Sequence, residues 1–199
     1  MAKNLTKVPQ GKGEVRIIAG LWRGRKLPVL LSQGLRPTSD RVRETLFNWL
    51  MNDIVAANCL DCFAGSGALG FEALSRQAAK VVMLEKSPVV AKQLKQNLQQ
   101  LKTQNGEIIC IDTLTYLAQH QPEQPFNVVF LDPPFHQDLL NATLNLLETH
   151  HWLADDALIY LESEKTLQNI DIPASWQLLK EKFTQQVAYR LYQKIGVAE

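Results

Sequence analysis

The chain is poor in cysteine, with three residues in 199, and it has no long apolar run. Three cysteines cannot build a disulfide framework, and the expected compartment is the cytoplasm. No stretch approaches the roughly 18 apolar residues that a membrane helix needs, so no membrane association is expected. The opening residues, MAKNLTKVPQGKG, hold no apolar core and do not read as a secretory leader. A mobile tail is expected over 1–13. Repeats and low-complexity segments are missing as well. Net charge is only +1, but it is unevenly spread. Residues 1–50 hold ten Lys/Arg against three Asp/Glu, which is +7, and residues 51–199 therefore carry −6. A basic arm on an acidic body suits a polyanionic partner; a solvated basic face is the plainer alternative.

What is present is a regular alternation. Hydrophobic residues make up 46% of the chain, enough for one compact domain with a small appendage. Strand-like runs at 58–63, 80–85, 107–111, 127–131 and 157–162 alternate with helical segments at 68–76, 88–102, 113–120 and 137–150. Leu94, Leu98 and Leu101 recur at helical spacing. This predicts an α/β fold of βαβ units with a mostly parallel sheet. The runs 176–183 and 186–193 flank Thr184-Gln185 with no helix between them. They predict a C-terminal hairpin with at least one antiparallel strand.

The front differs. Runs at 16–20 and 25–29 flank LWRG and predict a short β-hairpin. In RPTSDRVRETLFNWL (36–50), Thr38, Ser39 and Asp40 are possible helix N-caps after Pro37. Val42, Leu46, Trp49 and Leu50 form one helical stripe, with Arg41 and Arg43 outside it. The expected division is a tail over 1–13, a hairpin-and-helix extension over 14–52, and the main domain over 53–199.

LDCFAGSGALGFEAL (60–74) joins the first main-domain strand to its helix. Gly65, Gly67 and Gly70 fit G-x-G-x-x-G in that context, and Glu85 follows Gly65 by 20 residues. The glycines admit a tight turn and a close ligand, and the acid suits two ribose hydroxyls. A dinucleotide and S-adenosylmethionine both fit this outline. Asp61 favours S-adenosylmethionine, because an acid there opposes a pyrophosphate and suits an ammonium or sulfonium. Asp112 could accept from an adenine amino group or cap the following helix, and one side chain can do both.

In such a sheet, ligands bind beyond the carboxyl ends of the strands. Asp61, Glu85, Asp112 and Asp132 all fall at such ends. After Asp132 come Pro133, Pro134 and Phe135, in NVVFLDPPF (127–135). Prolines have no N–H, so the loop offers only acceptors. Its complement is an exocyclic amine, with Phe135 stacked on the base that bears it.

FAGSG and DPPF resemble the class I, S-adenosylmethionine-dependent amino-methyltransferases. RIIAGLWRGRKLPV (16–29), RPTSDRVRETLFNWL, LDCFAGSGALGFEALSR (60–76) and LIYLESE (158–164) further resemble the RsmD family of bacterial 16S ribosomal RNA guanine-N2 methyltransferases. The resemblance covers nearly the whole chain. It implies a Rossmann-like, seven-stranded class I methyltransferase sheet, a small N-terminal hairpin extension that makes 14–52 the expected RNA-binding segment, and methylation of one guanine in an assembled or nearly assembled small subunit. It assigns Asp61, Phe63, Gly65, Ser66 and Gly67 to the methionine side of the cofactor. Glu85, Lys86 and Ser87 go to the ribose, Asp112 and Thr113 to the adenine, and Asp132, Pro133, Pro134 and Phe135 to catalysis.

On this reading Asp132 and the Pro133 carbonyl accept the two N–H bonds of the guanine amine, and its lone pair then faces the methyl group. Arg16, Arg23, Arg25, Lys26, Arg36, Arg41 and Arg43 are the expected phosphate contacts. Trp22 either stacks on a base or packs the hairpin. A monomer without a metal is expected. Cys59-x-x-Cys62 lies within a strand, where its side chains point to opposite faces, and His150-His151 reads as a helix end. Three alternatives stay open: an adenine or other amino-methyltransferase using the same loop, an NAD-dependent oxidoreductase, and a non-catalytic ribosome-assembly factor.

Overall fold

A computed structural model of the chain describes residues 11–31, 39–135 and 138–195. Nine strands and five helices are found among them. The main domain alternates β3 (Asn58–Asp61), α2 (Ala68–Ser75), β4 (Lys80–Leu84), α3 (Pro88–Leu101), β5 (Gly106–Ile109), α4 (Thr113–Gln119), β6 (Phe126–Leu131), α5 (Leu139–Thr149) and β7 (Leu153–Glu164). It closes with β8 (Trp176–Phe183) and β9 (Val187–Lys194).

The seven strands follow the order β5-β4-β3-β6-β7-β9-β8. The five from β5 to β7 are parallel, and β9 runs antiparallel to both neighbours. The alternation of strands and helices, and the closing hairpin, thus stand as the sequence predicts.

Each strand divides its side chains between two cores, because successive residues point to opposite faces. Cys59, Met83, Phe130 and Tyr160 pack with α1, α2 and α3. Leu60, Cys62, Leu84, Leu131 and Leu161 pack with α4 and α5. Cys59 and Cys62 therefore face opposite sides, and burial pushes the Cys59 thiol up to about 12. His150 closes α5 as its C-cap.

The N-terminal segment forms β1 (Gly11–Arg16), β2 (Lys26–Leu31) and α1 (Asp40–Trp49). The hairpin strands lie further apart in sequence than the pattern predicts. β1 starts inside the stretch expected to be a mobile tail, and residues 18–23 form a loop instead of strand ends. Glu72 explains the difference: its carboxylate takes the amides of Ile18 and Ala19 at 2.8 and 3.0 Å, which removes them from the ladder. Ser75 then binds the loop through Leu21, Trp22 and Ala19.

Ser39 caps α1, its side chain accepting from the Val42 amide. The buried face of α1 is wider than predicted: Val42, Leu46 and Leu50 are buried and Trp49 packs on the core as expected, and Arg43 and Phe47 join them. Arg43 is 1% exposed. It donates to Asp40 and to the Arg16 carbonyl, and its Nη1 lies 3.9 Å from the buried Glu72. Phe47 packs on Phe130 of β6 at 5.9 Å, and Trp49 stacks on Tyr189 of β9 at 5.5 Å.

Candidate active site

Strand register brings the acids together. Asp61 pairs with Met83 on β4 and with Phe130 on β6, and Phe130 pairs with Tyr160 on β7. All four therefore share the α1–α3 face. Two residues further on, the pleat returns Glu85, Asp132 and Glu162 to that same face at the carboxyl rim.

Asp61 is 1% exposed. Burial first, and then Asp132, push its carboxyl up to about 7. The backbone amides of Phe63 and Gly70 oppose the rise, and Glu85 adds to it. Glu85 is also raised, chiefly by burial, although its two oxygens accept from the amides of Gly65 at 3.1 Å and Ser87 at 2.7 Å. One carboxylate thus ties the glycine loop to the start of α3. Lys86 beside it is exposed, and the Ser87 hydroxyl caps α3.

The loop needs its glycines. Gly67 has φ +75° at the N-cap of α2, and a Cβ there would lie 2.4 Å from the Phe71 ring. A Cβ on Gly70 would lie 2.4 Å from the Met83 sulfur, so Gly70 sets how closely α2 approaches β4. Phe63 and Ser66 are partly exposed beside them.

Asp112 is exposed and caps α4, accepting from the Thr115 amide at 3.1 Å. Thr113 is buried, and its hydroxyl donates to the Cys62 carbonyl. It joins the start of α4 to the exit of β3. Pro133 is buried, while Asp132, Pro134 and Phe135 are partly exposed at the rim.

Sequence reasoning missed Glu162. It is 7% exposed and accepts from the Tyr160 hydroxyl at 2.8 Å. Burial first, and then Asp132, push its carboxyl up to about 8. The rule that found the other rim acids would have found it too, since it lies toward the end of the fifth parallel strand.

The expected RNA face is only partly assembled. Arg23, Arg25 and Arg41 are exposed. Arg16 pairs with Asp40 at 3.3 Å and Lys26 with Glu14 at 3.0 Å, all four with open side chains. Trp22 is half-buried against the core. Arg43 must be withdrawn as a phosphate contact, because it is buried in the ion-pair cluster around Glu72. Arg36 lies outside the described residues.

Comparison with known proteins shows the family. The Haemophilus influenzae ribosomal RNA small subunit methyltransferase D is 60% identical over 94% of this chain and 97% of its own length. The protein of the same name from Escherichia coli is 57% identical over 95% and 94%. The solved structure of yhhF from Escherichia coli superposes with a TM-score of 0.84 at 53% identity, covering 93% of this chain and all of that one. The model of the family described as conserved hypothetical protein 95 matches residues 15–193, and the chain belongs to that family, the RsmD family its motifs resemble.

Proposed function

We propose that the protein transfers a methyl group from S-adenosylmethionine to the exocyclic N2 of one guanine in the 16S ribosomal RNA of the small subunit. The observation that carries this reading is the loop Asp132-Pro133-Pro134-Phe135, whose two prolines offer no N–H, set on the same rim as the buried Asp61 and the partly buried Glu85. The donor set fits a cationic, ribose-bearing ligand. Crowded carboxyls held above their ordinary range gain from positive charge, and they would repel a pyrophosphate. That speaks against a dinucleotide and for S-adenosylmethionine.

Asp61, Phe63, Gly65, Ser66 and Gly67 would hold the methionine part, Glu85 with Lys86 and Ser87 the ribose, and Asp112 with Thr113 the adenine. When bound, S-adenosylmethionine supplies an electrophilic methyl group. Asp132 and the Pro133 carbonyl accept the two N–H bonds of the amine and orient its lone pair. Phe135 supports the base. Alignment of two bound reactants is worth roughly 7–11 kcal/mol of barrier. Asp132 then receives the proton that becomes acidic as nitrogen is alkylated.

Arg16, Arg23, Arg25, Lys26, Arg36 and Arg41 are the phosphate contacts on this reading, with Trp22 beside them. The substrate is an assembled or nearly assembled particle, the protein acts as a monomer, and the site of action is the cytoplasm. Among the described residues no helix is long and apolar enough to cross a membrane.

The test is transfer of labelled methyl to small subunits from a strain lacking the protein, followed by nucleoside analysis. N2-methylguanosine is expected; label in adenine, or transfer to DNA instead, would refute the assignment. Asp132→Ala should keep cofactor affinity and lose most turnover, while Glu85→Ala should mainly weaken the cofactor.

A further inference from the structure

Glu162 is a buried carboxylate to which methyl transfer by Asp132 and Pro133 alone gives no task. Leu131 and Leu161 pair in parallel register, so the next residues, Asp132 and Glu162, emerge side by side. Neighbouring strands lie about 4.8 Å apart. Glu162 is fixed from its own strand by Tyr160, whose hydroxyl donates to Oε2 at 2.8 Å. From β9, Tyr189 lies opposite in register, and α1 brings Trp49 against Tyr189. Asp61 stands near Asp132, whose charge helps to push the Asp61 carboxyl up. Tyr160, Asp132 and Tyr189 are therefore the titratable groups around Glu162, and Asp132 and Tyr160 are those that act on its charge.

Two carboxyls this close do not both ionise readily near neutral pH. The buried one gains most from staying neutral, which agrees with the push on Glu162 up to about 8. The more open Asp132 is then the one that carries the charge.

We propose that Glu162, anchored by Tyr160, is the positioning residue of Asp132: the pair holds one proton, Glu162 carries it, and its O–H fixes the Asp132 carboxylate as an anion facing the substrate amine. This inference rests on the role of Asp132 in the proposed function. During transfer the N–C bond forms as the C–S bond breaks, and sulfur keeps the electron pair. The surplus proton on nitrogen passes to Asp132. The pair then holds two protons and returns one to solvent, which restores the starting state.

The experiment measures kcat for methyl transfer to small subunits lacking the modification, from about pH 6.5 to 9.5, with cofactor affinity measured alongside. Wild-type kcat should fall above about pH 8, as Glu162 loses its proton. Glu162→Gln retains a donor that does not titrate, so it should keep most turnover at pH 7 and lose the alkaline fall. Glu162→Ala should lose about tenfold or more in kcat with cofactor affinity unchanged within about twofold. Tyr160→Phe removes a donor that favours the Glu162 anion, so the fall should move to higher pH.

An alkaline fall that persists in Glu162→Gln, or does not move in Tyr160→Phe, overturns the inference; so does wild-type kcat in Glu162→Ala. If Glu162→Ala fails to fold, the pH profiles of the other two variants decide. Asp132→Ala, run in parallel, separates the two readings. Full turnover in that variant refutes the role of Asp132 itself. Its inactivity, with an unchanged Glu162→Gln profile, refutes only the pairing.

Discussion

Asp61 should make cofactor binding depend on pH in a defined direction. In the free site its carboxyl is held up to about 7, mainly by burial. A ligand bearing an ammonium and a sulfonium selects the ionised form, so binding below pH 7 must expel a proton. For one such group the apparent Kd scales as 1 + 10^(7−pH). It is then about 33 times its limiting value at pH 5.5 and about twice that value at pH 7. The ratio is about 16-fold, or about 1.6 kcal/mol. The window is chosen because the ligand's own amino group begins to titrate above it, near 7.7 or 8 if it behaves as an ordinary α-amine. Titration calorimetry at pH 5.5 in two buffers of different ionisation heat should show close to one proton released through Asp61 per cofactor bound, and about half a proton at pH 7. Asp61→Asn should bind more weakly at pH 7 and release no proton through this group. A flat affinity from pH 5.5 to 7, or full proton release retained by Asp61→Asn, would refute the assignment.

Two further outcomes test the N-terminal segment. Replacing Arg23 and Arg25 by Glu should weaken RNA binding and flatten its log-log salt dependence by roughly 1.4 to 1.8 units, about 0.7–0.9 for each phosphate no longer neutralised; unchanged filter-binding curves would remove the hairpin from the RNA face. Arg43→Ala leaves Glu72 buried with one cation fewer, which should cost about 3–5 kcal/mol. For a chain of this size that lowers Tm by roughly 6–20 °C, and a Tm within about 2 °C of wild type would show that the cluster is not holding the segment down.

Much of the fold is legible because its pattern is local. Trp176–Phe183 is a strand as the residues predict, and the five parallel strands of the main domain shift by a few residues at their ends. Strand ends were harder to place, because Glu85 and Ile111 continue backbone pairing past the regular ladder between β4 and β5. Asp61, Glu85 and Asp132 were legible because one rule, an acid at the end of a parallel strand, repeats along the chain; Glu162 obeys the same rule and was missed. Other features were decided by distant partners. The hairpin strands moved outward because Glu72, more than 50 positions away, takes the Ile18 and Ala19 amides. Arg43 looked solvent-facing on a helical wheel, yet Glu72 and the Arg16 carbonyl hold it inside.

These long-range contacts also explain how the proposed nucleic-acid face would be aligned with the proposed cofactor loop. α2 begins at Gly67 beside the proposed methionine-binding turn and ends at Ser75, which holds the loop carrying Trp22. Glu72, one turn earlier, fixes Ile18 and Ala19. Eight helical residues, about 12 Å, thus separate the glycine turn from the base of the hairpin. On the other side, α1 rests on Phe130 and Tyr189, next to the strand ends that carry Asp132 and Glu162. A hairpin on a flexible tether would leave the distance between bound RNA and the reacting amine undefined. Tied to α2 and α1, its exposed arginines stand at a fixed offset from the Asp132 loop, and the buried charges that made this segment hard to read are what hold that offset.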